Sequence, residues 1–362
     1  MSKNVLCPPF RETTKPKRLK CCSSLGFHEQ INLCVHPLRN NYFKLGVFHN
    51  QITINPKHCL NYQVVFFYLS LLRAKGEFMS TIKSNNDNQN NYDYTDMENM
   101  KRFVNQHKDT LKSTGSSRSW FVWDGMRWRY EADDVTAIQR GFITIESIDK
   151  EASATLDGLK RQELLKWSKS SQSKSRILSM ISMASKHKDM IVSMADFDKD
   201  LHVINCLNGV VDLTNRSLQA SSSHRLISKL AKASYNPRAK APVFRSFINQ
   251  IFGNDIELIR WAQRMIGYFL TGSVVEQKLF IAYGTGANGK STLFEIIKLI
   301  LGDYSKTADF ETFLSKQKSG VRELEAVGEL KSIRFALASE TDSHVRFSEA
   351  IIKRLTGGDT LR

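Results

Sequence analysis

Residues Gly284-Thr285-Gly286-Ala287-Asn288-Gly289-Lys290-Ser291-Thr292 combine glycines, an ammonium and three hydroxyls at a spacing that suits phosphate chemistry. Glycines let backbone N–H groups converge on an anion without a side chain in the way. The spacing predicts a loop that cradles the phosphates of ATP bound with Mg²⁺, contacted by all nine of these residues. Lys290 is placed to reach the β- and γ-phosphates and so to act in catalysis, and Ser291 to ligate the Mg²⁺. Hydrolysis also needs an acidic group on a neighbouring strand end. Glu340 in Ser339-Glu340-Thr341-Asp342 is the candidate general base or metal-shell carboxylate, and Asp342 is the next candidate. A merely solvated strand-end pair is the alternative.

Such a loop works only between a strand and a helix. Lys278–Tyr283 is apolar and aromatic-rich, as a buried strand requires, and Leu293, Ile296, Ile297 and Ile300 recur at helical spacing behind the loop. The helix amino terminus would add its partial positive charge to the site. Ile333–Ala338 reads as the second strand, carrying Glu340 just beyond its end. The expected fold class is therefore α/β, a P-loop NTPase.

The formal charge of the 362-residue chain is +16, which favours a polyanionic partner, since each neutralised phosphate releases condensed counterions. Residues 1–78 hold 11 Lys and Arg against 3 Asp and Glu, so this shorter part is the more basic in density. A basic arm of this kind is also the composition of a solvated tail. The longest apolar run, Val64–Leu72, falls far short of the ~20 residues a membrane-spanning helix needs. No signal peptide is visible in Met1–Lys20, so a cytoplasmic or viral replication site in a reducing compartment is expected, without secretion. Cys7, Cys21, Cys22, Cys34 and Cys59 lie among His28, His36, His49 and His58, yet no pair has the Cys-x₂₋₄-Cys spacing that pre-forms a zinc site. Cys206, in an apolar stretch, reads as a small core residue.

The expected organisation is a basic region 1–78, an Asn-rich linker 79–96, an aromatic and helical domain 97–200, a helical module 201–273 and an ATPase domain 274–362. Met79 stands just before the linker's Ser84–Tyr94 core and is a possible start of the functional product. Trp120–Trp128 reads as a hairpin turned at Asp124-Gly125, with Trp120, Trp123 and Trp128 as core anchors rather than base-stacking groups. Residues 131–200 read as helices whose Lys160, Arg161, Lys166, Lys169, Lys174, Arg176 and Lys186 form solvated faces. Leu201–Leu213 turns strand-like around Asn208-Gly209, and Pro242–Gly272 is helical.

Three blocks resemble superfamily 3 helicases, in the branch of poxvirus-type and phage or plasmid primase-helicases. They are Asn208–Leu213 through Gly267–Gly272, the loop with Asn288 before Gly-Lys-Ser-Thr, and Arg334–Glu340 followed by Lys353–Asp359. The resemblance implies a three-layer α/β motor of the AAA+ type, preceded by a mainly helical α+β region. It further implies a homo-oligomeric ring, usually a hexamer, that acts on single-stranded or forked DNA in viral, phage or plasmid replication. Lys353, Gly357, Gly358 and Asp359 match the segment that leads into the family's DNA-tracking hairpin, which makes Lys353 and Arg354 the candidate DNA contacts. A helix end capped by Gly357-Gly358 explains the same residues without DNA.

The chain stops at Arg362, before the family's sensor asparagine and arginine finger, so the motor is expected to be truncated and feeble in hydrolysis. No carboxylate pair with a nearby His marks a primase centre in residues 1–200. An ATP-dependent DNA helicase, or a fragment of one, is the leading reading. A non-motor ATP- and DNA-binding fragment that joins or regulates a helicase ring is the alternative, and a small-molecule kinase is disfavoured by the long basic region ahead of the loop.

Overall fold

The structure is a computed structural model that describes residues 44–48, 61–66, 93–284, 286–313, 328–339 and 348, with the backbone alone at 44–48, 61–66 and 311–312. Strands β1 (Lys44–Phe48) and β2 (Asn61–Phe66) come first, from the region in which the sequence shows no sustained period. Helix α1 (Asp96–His107) follows, its first turn capped by Thr95 Oγ1, which accepts from the Glu98 N–H at 3.2 Å. Strands β3 (Leu111–Ser113), β4 (Trp120–Trp123) and β5 (Trp128–Glu131) form an antiparallel three-stranded sheet in that order. The β4–β5 turn is the one predicted: Gly125 takes φ +98°, and Asp124 Oδ1 accepts from the N–H groups of Met126 and Arg127.

Helices α2 (Val135–Ala154), α3 (Gly158–Ser171) and α4 (Lys174–Ala184) complete this first unit. Its core joins Phe103, Leu111, Trp120, Ile148, Leu164 and Met180, all sealed from solvent. Trp128 is buried against Phe121 and Phe197 on the other face of the hairpin, and Trp123 packs at its edge. Both buried indoles satisfy their N–H, Trp120 on the Ser117 carbonyl at 2.8 Å and Trp128 on that of Ser223 at 3.0 Å. Arg161, Lys166, Lys169, Lys174 and Lys186 stand in solvent, while Lys160 and Arg176 are half-buried and Arg176 lies 4.4 Å over the Trp167 ring.

His107, 4% exposed, ends α1 with Nε2 3.2 Å from the Arg140 carbonyl oxygen and 3.1 Å from Thr144 Oγ1. Burial, reinforced by the Arg140 charge, pushes its pKa down to about 4 from 6.5. Between those values the unfolded chain holds the proton and the folded chain does not, so stability rises with pH. Acidification from about pH 6.5 to about pH 4 should cost the first unit about 2 kcal/mol, after allowance for partial solvent screening. Urea unfolding followed by tryptophan emission reads this slope, and His107→Gln should flatten it; an equal slope in the variant would assign the pH dependence to other groups.

The rest of the described chain builds around a second core. Strands β6 (Val203–Cys206), β7 (Gly209–Asp212) and β8 (Leu218–Gln219) form an antiparallel sheet turned at Leu207-Asn208. Helices α5 (Pro242–Ile251) and α6 (Ile256–Leu270) follow, then β9 (Leu279–Gly284), α7 (Lys290–Leu301), β10 (Ser305–Thr307) and β11 (Phe335–Ser339). The largest sheet has five strands in the order β1-β9-β2-β11-β10, with β10 and β11 parallel and the other neighbours antiparallel. The architecture is mixed α/β with small sheets.

One apolar core takes Ile204, Cys206 and Val211 from β6–β7, Ile251 and Phe252 from α5 and its end, Phe269 from α6, Leu293, Phe294 and Ile297 from α7, and Phe335 and Leu337 from β11. Phe269 stacks 5.4 Å from Phe280 and 5.5 Å from Phe335, which lies 6.1 Å from Phe294, so an aromatic row threads α6, β9, β11 and α7. Each such ring, fully buried, contributes about 1.5–3 kcal/mol. Cys206 is one of these core residues, and burial raises its thiol pKa.

The two units meet at Asn205, which is sealed from solvent. Its amide donates to the Met126 carbonyl at 2.9 Å and to that of Lys229 at 3.0 Å, and its backbone N–H donates to Tyr304 Oη at 3.1 Å. Arg127 and Asp303 add an ion pair across the same junction, and Asp303 also accepts from the Leu230 N–H. Arg334, 5% exposed at the start of β11, lies 4.5 Å over the Tyr304 ring and donates to the carbonyls of Leu270 and Asp200. The segment just after α7 is thus tied to the first unit, and Arg334 ties the entry to β11 to that segment and to the end of α6.

Candidate functional site

Between β9 and α7 the chain makes a turn that enters the left-handed region twice. Ala287 takes φ +57° and Gly289, the residue before α7, takes φ +82°. A left-handed conformation is strained for side-chain-bearing residues, and at Gly289 there is no room for one. Lys290 and Thr292 open α7, with Leu293, Phe294 and Ile297 on its buried face, as the spacing anticipates. Gly286, Ala287, Ser291 and Thr292 are exposed, whereas Lys290 is 5% exposed.

Lys290 Nζ donates to the Gly284 carbonyl at 3.2 Å and to Asn288 Oδ1 at 3.1 Å. Both acceptors are neutral, and among the described residues Lys290 forms no ion pair. Burial lowers its pKa. The Asn288 oxygen also accepts from the Lys290 backbone N–H at 3.3 Å, while Asn288 Nδ2 is buried without a hydrogen-bond partner among the described residues. A buried ammonium that finds only neutral oxygens among the described residues is electrostatically incomplete there, and an anion entering the turn would complete it.

Thr285 of the nine loop residues lies outside the described residues, as do Glu340, Asp342, Lys353, Arg354 and the cysteine and histidine cluster of the first 59 residues. β11 ends at Ser339, immediately before Glu340, with β2 between it and β9 in the sheet. Among the described residues no cluster of His, Cys, Asp or Glu could hold a metal ion. The Ser291 hydroxyl, exposed in the first turn of α7, suits a Mg²⁺ that arrives on a nucleotide and takes most of its oxygens from phosphate and water. Among the described residues no helix is long and apolar enough to cross a membrane.

Phe247 and Ile251 beneath Gly289 are contacts that the sequence did not disclose. The 3.6-residue period of Pro242–Gly272 marks these positions as apolar, but periodicity does not say which surface they cover.

The family match falls on the part of the chain ahead of this turn. Residues 100–253 match the family described as D5 N terminal like. Over 107 residues the chain is 29% identical to the "Putative helicase L207/L206" of Acanthamoeba polyphaga mimivirus, an alignment covering 30% of this chain and 11% of that protein. The matched segment is thus a small part of that protein's length. These similarities associate the chain with helicase-related proteins, at the level of a D5 N-terminal-like region and a distant viral relative.

Proposed function

We propose that the chain binds MgATP at Gly284–Thr292 and serves as the nucleotide-binding part of a superfamily 3 DNA helicase of viral, phage or plasmid replication. The observation that carries this reading is Lys290, an ammonium buried at the amino end of α7 on two neutral oxygens at 3.1 and 3.2 Å. A β- or γ-phosphate oxygen would replace Asn288 Oδ1 as its acceptor, converting a neutral hydrogen bond into a charge-assisted one. The amino end of α7 would add the partial positive charge of its helix dipole at the same oxygens. Ser291 would ligate Mg²⁺, and Glu340 would polarise the attacking water or share the metal shell.

The D5 N-terminal-like match and the mimivirus relative support a helicase-related role. Coupling of hydrolysis to translocation along single-stranded or forked DNA, and assembly into a hexameric ring, complete the proposal. The net charge of +16 supports DNA as the partner, with Lys353 and Arg354 as proposed contacts. No major-groove reading motif is evident, so binding should be weakly sequence-selective and should fall steeply with salt.

Isothermal titration of the full chain with MgATP tests the core of this reading. Lys290→Ala should weaken binding at least about tenfold, equivalent to about 1.4 kcal/mol. An unchanged affinity would remove the assignment of the loop. In parallel, fluorescence anisotropy with a labelled single strand should show an affinity that drops with added salt, and a salt-insensitive constant would count against a nucleic-acid partner.

A further inference from the structure

The floor of the turn is supplied by α5, a helix that ends well before β9 in the chain. A methyl group built on Gly289 would stand 2.5 Å from Ile251 Cγ2 and 3.3 Å from Phe247 Cε2. The Gly289 backbone therefore rests directly on the last turn of α5. Ile251 is 7% exposed and shares its core with Leu293, Phe294 and Ile297 of α7. In so closely packed an interior it cannot move away without opening that core. Gly289 hands the chain from the turn to α7, and its carbonyl accepts the Leu293 N–H at 3.0 Å. The height of Gly289 above α5 thus sets where Lys290 and the first N–H groups of α7 stand.

We infer that Ile251, with Phe247 beside it, is a positioning residue for the phosphate-binding turn: its β-branch methyl fixes Gly289 and thereby the aim of Lys290. The inference rests on the nucleotide reading above. It makes the end of α5, which lies within the D5 N-terminal-like match, a determinant of nucleotide affinity.

The contacting atom, Cγ2, is kept by valine and lost in leucine, which holds nearly the same volume without a branch at Cβ. Ile251→Leu should therefore weaken MgATP binding about fivefold, and Ile251→Val should leave it within about twofold, whichever of the two lowers the melting temperature more. Gly289→Ala should weaken binding about 100-fold through both the close approach and the left-handed φ. Adding Ile251→Leu to Gly289→Ala should recover about tenfold of that loss, whereas adding Ile251→Val should recover none. A purely structural role would move melting temperatures without separating leucine from valine in affinity. Equal affinities for the leucine and valine variants, or strict additivity with Gly289→Ala, would overturn the positioning role. Wild-type protein that does not bind MgATP, or Lys290→Ala with full affinity, would instead remove the nucleotide reading, and that result is visible before any Ile251 variant is made.

Discussion

Phe294→Ala should destabilise the second unit by about 3–5 kcal/mol, a large fraction of the stability of an ordinary domain. Phe294 is sealed from solvent on the inner face of α7, with Phe335 6.1 Å away and Leu293 and Ile297 on the same face. Truncation removes the aromatic from a core that also holds Ile204, Val211, Phe252 and Phe269. The loss should therefore spread across elements far apart in sequence. Hydrogen–deuterium exchange on the full chain should show protection falling together in α6, β6–β7 and α7. Protection lost in α7 and retained in α6 and β6–β7 would mean that residues 201–273 and the segment from β9 onward have separate cores, contrary to the packing described above.

Glu340→Gln should lower ATP turnover by about 10²–10⁴-fold in protein that hydrolyses ATP, with MgATP affinity changed by less than about threefold. A carboxylate that polarises water acts on the chemical step, whereas in the proposed reading Lys290 and the backbone of the turn would hold the phosphates. The isosteric amide keeps shape and removes basicity. Steady-state turnover and equilibrium titration, measured on the same preparation, separate the two effects. Full turnover in the variant would transfer the proposed role to Asp342, which the same pair of measurements would then examine. A parallel loss of binding would place Glu340 in the metal shell more than in proton transfer.

Local chemistry in this chain is written locally, and the sequence discloses it. Asp124-Gly125 specifies its hairpin because the side chain caps the turn and the glycine takes a positive φ. Asp157 and Asp255 cap the first N–H groups of α3 and α6, a local signal that the reading by apolar and charge spacing did not use. The strand, the glycine-rich turn and the helix around Lys290 follow in the order that their apolar spacing suggests. Less legible are features made by residues distant in sequence. The short strand β3 is defined by pairing with β4, not by its own pattern. β1 and β2 arise in a basic region without periodicity and gain their strand identity from β9 and β11. The contact between Ile251 and Gly289, and the burial of Arg334 on Tyr304, join side chains whose meeting no short window can encode.

Asn205 gives the junction between the two units a mechanical character. One buried side chain holds the hairpin turn at Met126 and the carbonyl of Lys229, while its own backbone N–H rests on Tyr304, just beyond the end of α7. None of these bonds has water to substitute for it as it stretches, since the residue is wholly enclosed. A displacement at the carboxyl end of α7 is therefore passed to the β4–β5 hairpin with little slack. Asn205 thus joins the hairpin turn at Met126 to the segment just beyond α7 through two directed hydrogen bonds of a single residue.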